Sequence, residues 1–469
     1  MQDQVHIIIN GKKHIVPHQF AFLPISNFLR EEISLTGTKI VCSEGDCGAC
    51  TLMLRMPHQE KFQPINSCIA TSASLDGGEI ITVEGLNNSH HQLNAIQESF
   101  VKHHGAQCGF CTPGFICSLT HLYNKKETKT VQQIKNATTG NLCRCTGYQP
   151  IIDSALNSDF KKIIPLEELY TNKKIQREKT LKIATSKQTF YAPTSMKEAL
   201  KLKKENTNIK IVSGLTDLGV IYNKSESPLY PLMSLHHISE HFNIYSDSKD
   251  IHIHAGVNFH QIEKFLLPYY PEFSKLIHIF ASPQIKNRAT LVGNIANASP
   301  IADSIPFLMA TNSIITLESS HSSKEVDIND FYLGYKKMDL KSDEIITKVK
   351  IPIPSKEEKL KLYKVSVRKD MDISAVTSAI HYKLDKSKSF SFIQIVYGGV
   401  GPVVQRVKPV EDFLLGKKLN TSNLHQARLL LENDISPISD IRGSSDFRKI
   451  ICKNLLDKFY HQLLEGKEI

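Results

Sequence analysis

The chain has 469 residues, 41% hydrophobic and 22% charged, with a formal net charge of +10. That length exceeds one ordinary domain, and the composition is that of a globular protein able to bury several cores. The positive excess does not point to nucleic acid, because the lysines are spread along the chain instead of forming one basic face or stripe. No stretch approaches transmembrane length, so a membrane partner is not expected.

The chain opens with Val5-His6-Ile7-Ile8-Ile9, followed at once by Asn10-Gly11-Lys12-Lys13. This pattern predicts a strand entering a tight hairpin, whereas a signal peptide needs a longer apolar run. A reducing, cytoplasmic setting is expected, and there the ten cysteines read as metal ligands rather than disulfides.

Nine of the ten cysteines lie before residue 146 and only Cys452 lies after, which separates a metal-rich N-terminal third from the remainder. Residues 1–86 alternate short strand patterns with turns. Residues 92–104 and 113–124 show helical spacing, the second with Pro113 in its first turn, and further helices are expected near 131–137 and 150–160. A stretch rich in basic residues (Lys161, Lys162, Lys173, Lys174, Arg177, Lys179, Lys182, Lys187) follows, and 161–185 is expected to be a solvated linker. Beyond it, Thr194 or Ser195 is a candidate helix cap, with Glu198 placed to assist. Strands and helices then mix through about 355, and a last α/β stretch runs over 359–467.

The first cysteine set is Cys42-x4-Cys47-x2-Cys50, with Cys68 following after 17 intervening residues. This is the plant-type ferredoxin spacing for a [2Fe–2S] cluster. Three thiolates must come from one loop wrapped around the cluster, and Gly45 and Gly48 permit the turns that wrapping demands. Zinc more often takes symmetrical short-spaced pairs. The second set is Cys108-x2-Cys111 with Cys143-x-Cys145. On spacing alone a zinc-stabilised helical bundle stays open there, although a Cys-x-Cys pair at the mouth of a helix suits a two-iron core. Arg144 and helix N-termini would offset a cluster's negative charge. Cys117 and Cys452 fall in apolar helical stretches and read as core residues.

Two later segments, Ile211-Val212-Ser213-Gly214-Leu215-Thr216-Asp217-Leu218-Gly219 and Ala289-Thr290-Leu291-Val292-Gly293-Asn294-Ile295, each read as glycine-containing backbone brought close to something. Exposed N–H groups in such turns suit a pyrophosphate, but the residues by themselves read more readily as ordinary structural turns. Neither is a P-loop or a Rossmann fingerprint.

Gln107-Cys108-Gly109-Phe110-Cys111-Thr112-Pro113-Gly114 and Asn141-Leu142-Cys143-Arg144-Cys145-Thr146-Gly147-Tyr148, behind a plant-type set, resemble the iron–sulfur region of the molybdenum hydroxylases. The two glycine-containing segments, Ser299-Pro300-Ile301-Ala302-Asp303, the run from Tyr363 to Val376, and Tyr397-Gly398-Gly399-Val400-Gly401 resemble the flavin region of the same family, in its purine-oxidising xanthine dehydrogenase branch. The resemblance implies a multidomain α+β protein. A β-grasp plant-type [2Fe–2S] ferredoxin domain would span 1–86 and a four-helix [2Fe–2S] domain 87–160. An α+β FAD-binding domain of the vanillyl-alcohol-oxidase type would span 186–355, and an α/β C-terminal flavoprotein domain 359–467.

It also implies ligands. Cys42, Cys47, Cys50 and Cys68 would hold one [2Fe–2S] cluster, and Cys108, Cys111, Cys143 and Cys145 the other. Val212, Ser213, Gly214, Leu215, Thr216, Asp217, Thr290, Gly293 and Asn294 would surround the FAD phosphates and ribose. Asp303 would lie on the adenosine side, Phe280 against the isoalloxazine, and Ile346 and Lys364 at further flavin contacts. Val292 stands where many relatives have glycine, which puts the local turn in question.

The implied activity is electron transfer from a molybdenum cofactor on a large partner subunit, through both clusters and FAD, to NAD+ as hypoxanthine or xanthine becomes urate. The implied assembly is a heterotetramer of two small and two large subunits, with no catalytic side chain expected on this chain. Other readings remain: a partner acting on an aldehyde or another N-heterocycle, an NADH-dependent reductase working outward from FAD, or a zinc-binding interaction module.

Overall fold

The computed structural model describes residues 2–87, 92–124, 127–171, 175–225, 230–418 and 420–465. Lys173 and Lys174 of the basic stretch, and the expected last domain's end at 467, lie outside the described residues. The chain divides into two compact units, Met1–Ser239 with Ser282–Ala289, and Glu240–Ala281 with Thr290–Ile469. The stretch 186–355 contributes to both.

In the first unit, β1 (Val5–Ile9) and β2 (Lys12–Val16) form the expected hairpin, with Ile9 opposite Lys12. Asn10 and Gly11 both take positive φ, 48° and 78°, as a type I′ turn requires. With β3 (Thr51–Arg55), β4 (Gln63–Asn66) and β5 (Glu79–Ile81) they make a sheet of order β2-β1-β5-β3-β4. β1 and β5 run parallel at its centre. Short helical segments between β2 and β3 bury Phe20, Ile25, Phe28 and Leu29 in the core beneath this sheet, the β-grasp arrangement.

Four helices follow, Ala95–Lys102, Thr112–Tyr123, Val131–Thr138 and Gln149–Leu156. Asn94 with Gln97 and Thr130 with Gln133 form capping boxes that satisfy otherwise orphaned N–H groups. Pro113 and Pro150 sit in first turns, where a missing N–H costs nothing. The apolar faces of these helices share one core with Met53, Phe62 and Ile81 of the sheet.

The stretch 161–185 is not the solvated linker expected from its charge. Ile163 and Leu166 are buried in the helical core, and Leu181 is buried with the ferredoxin core. Arg177 donates to the buried Asp76 carboxylate. A few apolar anchors and one enclosed ion pair suffice to hold the segment, while Lys161, Lys162 and Lys179 face water.

β6 (Leu181–Ala184), β7 (Thr189–Ala192), β8 (Lys210–Val212) and β9 (Leu232–Ser234) complete the unit as a sheet of order β6-β7-β9-β8. Ser195 caps the helix Met196–Glu205 through the Glu198 N–H. Phe190, Val212 and Leu215 belong to the same core as Val5 and Ile7. The base of the first flavin-like loop is therefore packed continuously with the ferredoxin sheet.

The second unit holds a five-stranded and a four-stranded antiparallel sheet, besides one small hairpin. The first contains β10 (Ile244–Ser246), β11 (Asp250–His254), β12 (Ile314–Glu318), β13 (Ser323–Asp327) and, after the small hairpin of β14 (Tyr332–Gly334) and β15 (Lys337–Met338), β16 (Ile345–Pro352). Its order is β10-β11-β16-β12-β13. The second comprises β17 (Lys359–Val365), β18 (Val376–Leu384), β19 (Phe390–Gly398) and β20 (Gln405–Arg406) in sequential order. The helices Lys408–Leu414, Thr421–Asp434 and Ser445–Glu465 share its core through Val410, Leu414, Leu431, Leu456 and Phe459. No helix among the described residues is long and apolar enough to cross a membrane.

Candidate cofactor sites

The loop from Cys42 to Cys50 winds through three left-handed residues, Ser43, Gly45 and Gly48, with φ of 54°, 73° and 67°. This winding aims the Glu44 and Cys47 N–H groups at Cys42 Sγ, at 3.4 and 3.5 Å. Cys68 arrives from the single turn Ser67–Ile69 after β4. Cys50 and Cys68 are buried, and Cys42 and Cys47 are half-buried. The four thiols are free and joined by hydrogen bonds, Cys47 and Cys68 to Cys42, and Cys68 to Cys50. Hydrogen bonds from Cys47 and Cys68 hold the Cys42 thiol far below its ordinary value, and the donors Cys47 and Cys68 are pushed up in consequence. Four sulfurs competing for protons, with backbone N–H groups pointed at one of them, are a donor set that fits an iron–sulfur cluster.

The second set stands at two helix starts. Cys111 is the N-cap of Thr112–Tyr123, and Cys143 and Cys145 lie in the turn before Gln149–Leu156. Cys145 Sγ and Cys108 Sγ are 3.4 Å apart. Tyr148, itself left-handed at φ 70°, accepts at its hydroxyl from the Cys143 N–H at 3.2 Å. Burial pushes the Cys111 thiol up to about 12, aided by hydrogen bonding with Cys143. Burial also raises Cys143, but hydrogen bonds from Thr146 outweigh it and lower that thiol. The helix N-termini favour negative charge at this place. Cys108 and Cys145 are exposed, and Phe110 and Leu142 beside them are each 50% exposed. Cys117 and Cys452 are fully buried core residues, as expected, and burial pushes the Cys452 thiol up to about 12.

The two cysteine loops are joined directly. The Leu142 N–H, one residue before Cys143, donates to the Cys47 carbonyl at 2.9 Å. Asn141 Nδ2 donates to the Gly48 carbonyl at 3.1 Å, and its Oδ1 accepts from Ser118 and Gln284. The backbones meet so closely that a Cβ at Gly48 would lie 2.0 Å from the Gly140 oxygen, and one at Gly114 2.2 Å from the Gly48 oxygen. Asn141 opens the second cysteine motif, but its bond to Gly48 was not legible there, and Gln284 carried no sequence signal, since it acts far from its own position in the chain.

The first flavin-like loop buries Val212 and Leu215 and exposes Ser213 and Asp217. Leu215 is left-handed at φ 58°. A Cβ at Gly214 would lie 2.1 Å from the Arg288 oxygen, so only glycine allows that approach. Thr216 is half-buried between them. This arrangement presents backbone and small polar groups on an apolar footing, which suits a phosphate-bearing cofactor.

In the second unit, Thr290 caps the helix Leu291–Asn297, its Oγ1 accepting from the Gly293 N–H at 3.0 Å. Val292 lies inside this helix with ordinary negative φ, so no glycine is needed and the doubt about the turn is removed. Asn294 Oδ1 accepts from Ser304 at 2.6 Å. Asp303 and Lys364, expected as separate flavin contacts, are one ion pair at 2.7 Å. Lys364 Nζ also donates to the Asp372 carbonyl and Ser374 Oγ, and Ser374 donates to Asp303 at 2.6 Å. Ser374 was not legible in the sequence as a member of this network. Phe280, at the end of the helix Pro271–Phe280, packs edge-on against Phe259 and keeps part of its surface open. Ile346 is a buried residue of β16.

Asp76, His236 and His237 also lie within ligand distance of one another. The Asp76 carboxylate already accepts from the His6 N–H, Arg177 and His237. It is an enclosed anchor with its acceptor sites taken.

Three family models match stretches of this chain. A family model described as "FAD binding domain in molybdopterin dehydrogenase" matches residues 183–354. One described as "[2Fe-2S] binding domain" matches 82–156, and "CO dehydrogenase flavoprotein C-terminal domain" matches 361–463. The xanthine dehydrogenase of Oryza sativa subsp. japonica is 31% identical over 97% of this chain and 39% of its own length. The xanthine dehydrogenase/oxidase of Gallus gallus is 29% identical over 99% of this chain and 40% of its own. The chain thus spans about two fifths of the length of these relatives. Among solved structures, quinoline 2-oxidoreductase from Pseudomonas putida 86 shares the fold with a TM-score of 0.55, at 24% identity over 60% of this chain and 98% of that one. A carbon monoxide dehydrogenase chain from Hydrogenophaga pseudoflava does so with a TM-score of 0.55, at 21% identity over 59% and 96%.

Proposed function

The chain belongs to the molybdenum hydroxylase family as its iron–sulfur and FAD-binding portion, and from that premise we propose that it is the electron-transfer arm of a cytoplasmic, NAD+-reducing xanthine dehydrogenase. Cys42, Cys47, Cys50 and Cys68 hold one [2Fe–2S] cluster, and Cys108, Cys111, Cys143 and Cys145 the other. FAD is held by Val212, Ser213, Gly214, Leu215, Thr216, Asp217, Thr290, Gly293 and Asn294, with Phe280, Asp303, Ile346 and Lys364 as further contacts. When bound, these groups supply one-electron relay and hydride chemistry between a molybdenum cofactor on a large partner subunit and NAD+.

The observation that carries the reading is the hydrogen bond from the Leu142 N–H to the Cys47 carbonyl. It links a ligand of one set to the residue beside a ligand of the other, as a relay requires. The protein's own work is placement. Buried sulfurs and N–H groups stabilise the inner site, helix N-termini stabilise the outer one, and the Lys364–Asp303–Ser374 network fixes polar groups beside the proposed flavin contacts. The exposed apolar residues Phe110 and Leu142 mark the face offered to the large subunit. The proposed assembly is two small and two large subunits. The purine assignment draws on the xanthine dehydrogenase relatives.

An anaerobic NADH titration, followed by visible absorption with iron, sulfide and flavin analysis, tests this. About four irons and one FAD per chain, both bleached by NADH, are expected. Zinc in place of iron, or absence of flavin after oxygen-free preparation, would overturn it. Turnover with an aldehyde or a non-purine heterocycle, and none with xanthine, would reassign the substrate.

A further inference from the structure

The helix Leu218–Lys224 begins directly after the first flavin-like loop and lies on the inner cysteine site. Gly219 makes this possible, since a Cβ there would sit 2.2 Å from the Ile69 oxygen. Val220 packs on Cys50, Cys68 and Ile69. At the end of the helix, Asn223 Nδ2 donates to the Cys68 carbonyl at 2.7 Å and to the Ser43 carbonyl at 2.9 Å. One amide group thereby bridges the two separate pieces of chain that supply the ligands, the loop that starts at Cys42 and the isolated turn that carries Cys68. Its neighbour Lys224 pairs with Glu44 at 2.6 Å on the surface.

We propose that Asn223 is a positioning residue for the inner iron–sulfur site, holding Cys68 in register with the Cys42 loop and setting that cluster's potential from the helix that follows the flavin loop. The proposal rests on the assignment of these cysteines and this loop made above. The physical basis is twofold. Two carbonyl dipoles beside the cluster present their negative ends to the amide hydrogens, and losing those hydrogens leaves more negative potential near the cluster, so its reduction becomes less favourable. The fourth ligand is also far in sequence from the other three, and the Asn223 bridge opposes its drift.

The test uses the full chain, with its partner where one co-purifies, and follows both clusters by potentiometric electron paramagnetic resonance. Asn223→Leu removes the donors at similar size, and Asn223→Asp replaces them with an acceptor facing two carbonyl oxygens. The expected result is a shift of the inner cluster to lower potential, larger for Asn223→Asp, or selective loss of its iron. The outer cluster's potential and the FAD content stay unchanged and serve as internal references. Lys224→Ala, on the same helix, leaves both potentials in place. Unchanged inner potential with full iron in both Asn223 variants overturns the proposal. So does equal loss of both clusters and FAD, which marks a merely structural residue, or an equal shift in Lys224→Ala. Wild-type protein without iron or flavin would overturn the underlying cofactor assignment as well, and so is distinguishable from failure of Asn223 alone.

Discussion

The two cysteine sets differ most in their surroundings. The inner site is pressed by backbone on two sides, by Gly114 and Gly140 of the helical region at Gly48 of the loop, and by the helix Leu218–Lys224 at Ile69 of the turn that carries Cys68. Two of its sulfurs are buried. The outer set stands at helix starts, with Cys108 and Cys145 exposed and open space around Gly109 and Gly147. The same element count at both places therefore calls for different supports. The inner site depends on residues distant in sequence, whereas the outer one depends on its own short turns and helix ends. An enclosed site suits a middle position in a relay, and an open one suits a terminus that meets another protein.

The largest effects should come from the ligands. Cys68→Ser and Cys108→Ser should each lower the proposed purine-to-NAD+ turnover by more than about a hundredfold, since outer-shell partners of metal sites alone cost about 10–100-fold. FAD should stay bound in Cys108→Ser, as flavin absorbance will report. Retained turnover in Cys108→Ser would break the relay.

Next in size is the enclosed Asp76 anchor of the first unit, bonded to His6, Arg177 and His237. Burial raises the Asp76 carboxyl, but hydrogen bonds from His237 and Arg177, and the Arg177 charge, outweigh it and hold the group below the usual carboxylate range. A depressed folded value means stability that is present above the unfolded value, about 3.9, and lost as pH falls below it. Asp76→Asn should cost about 3 kcal/mol near neutral pH by leaving Arg177 buried without its partner. Its stability should then fall less than that of the parent protein between pH 5 and 3, as urea unfolding across that range will show.

A paired glycine test sharpens the contrast further. Gly48→Ala combines a left-handed backbone, φ 67°, with collision against the Gly140 oxygen, and should destabilise by about 3 kcal/mol. Gly147→Ala has a similar φ of 66° with nothing within 4 Å, and should cost only about 1 kcal/mol. Equal costs would mean that the inner loop is less constrained than its packing indicates. The smallest effect on stability is expected at the outer rim. Phe110→Ser should change unfolding by less than about 0.5 kcal/mol yet weaken association with the large subunit in sedimentation experiments.

Chemistry carried by residues close in sequence was readable in advance. The cysteine spacings, the Asn10-Gly11 hairpin and the Pro113 helix start are local, because a loop or first turn has its geometry written in neighbouring residues. The supports were not readable. Asn223 and Gln284 are ordinary polar residues whose partners lie in other segments, and nothing near them in the chain distinguishes them from surface amides, while Asn141 opens a cysteine motif that did not disclose its bond to Gly48. Charge misled at 161–185, where a count of lysines hid Ile163, Leu166 and Leu181, each of which finds a core. Val292 misled in the other direction, since a residue that looks misplaced in a turn is unremarkable inside a helix.

The backbone contact between Gly48 and Gly140 also bears on how the protein is built in the cell. Main chain packed against Gly48 leaves the loop no room to widen there, so the inner cysteines and the helical region must reach their final spacing together as the chain folds. Of the outer cysteines, Cys108 and Cys145 are exposed in this chain. Enlarging Gly48 or Gly114 would therefore disturb both regions at once, whereas enlarging Gly109 or Gly147 meets open space.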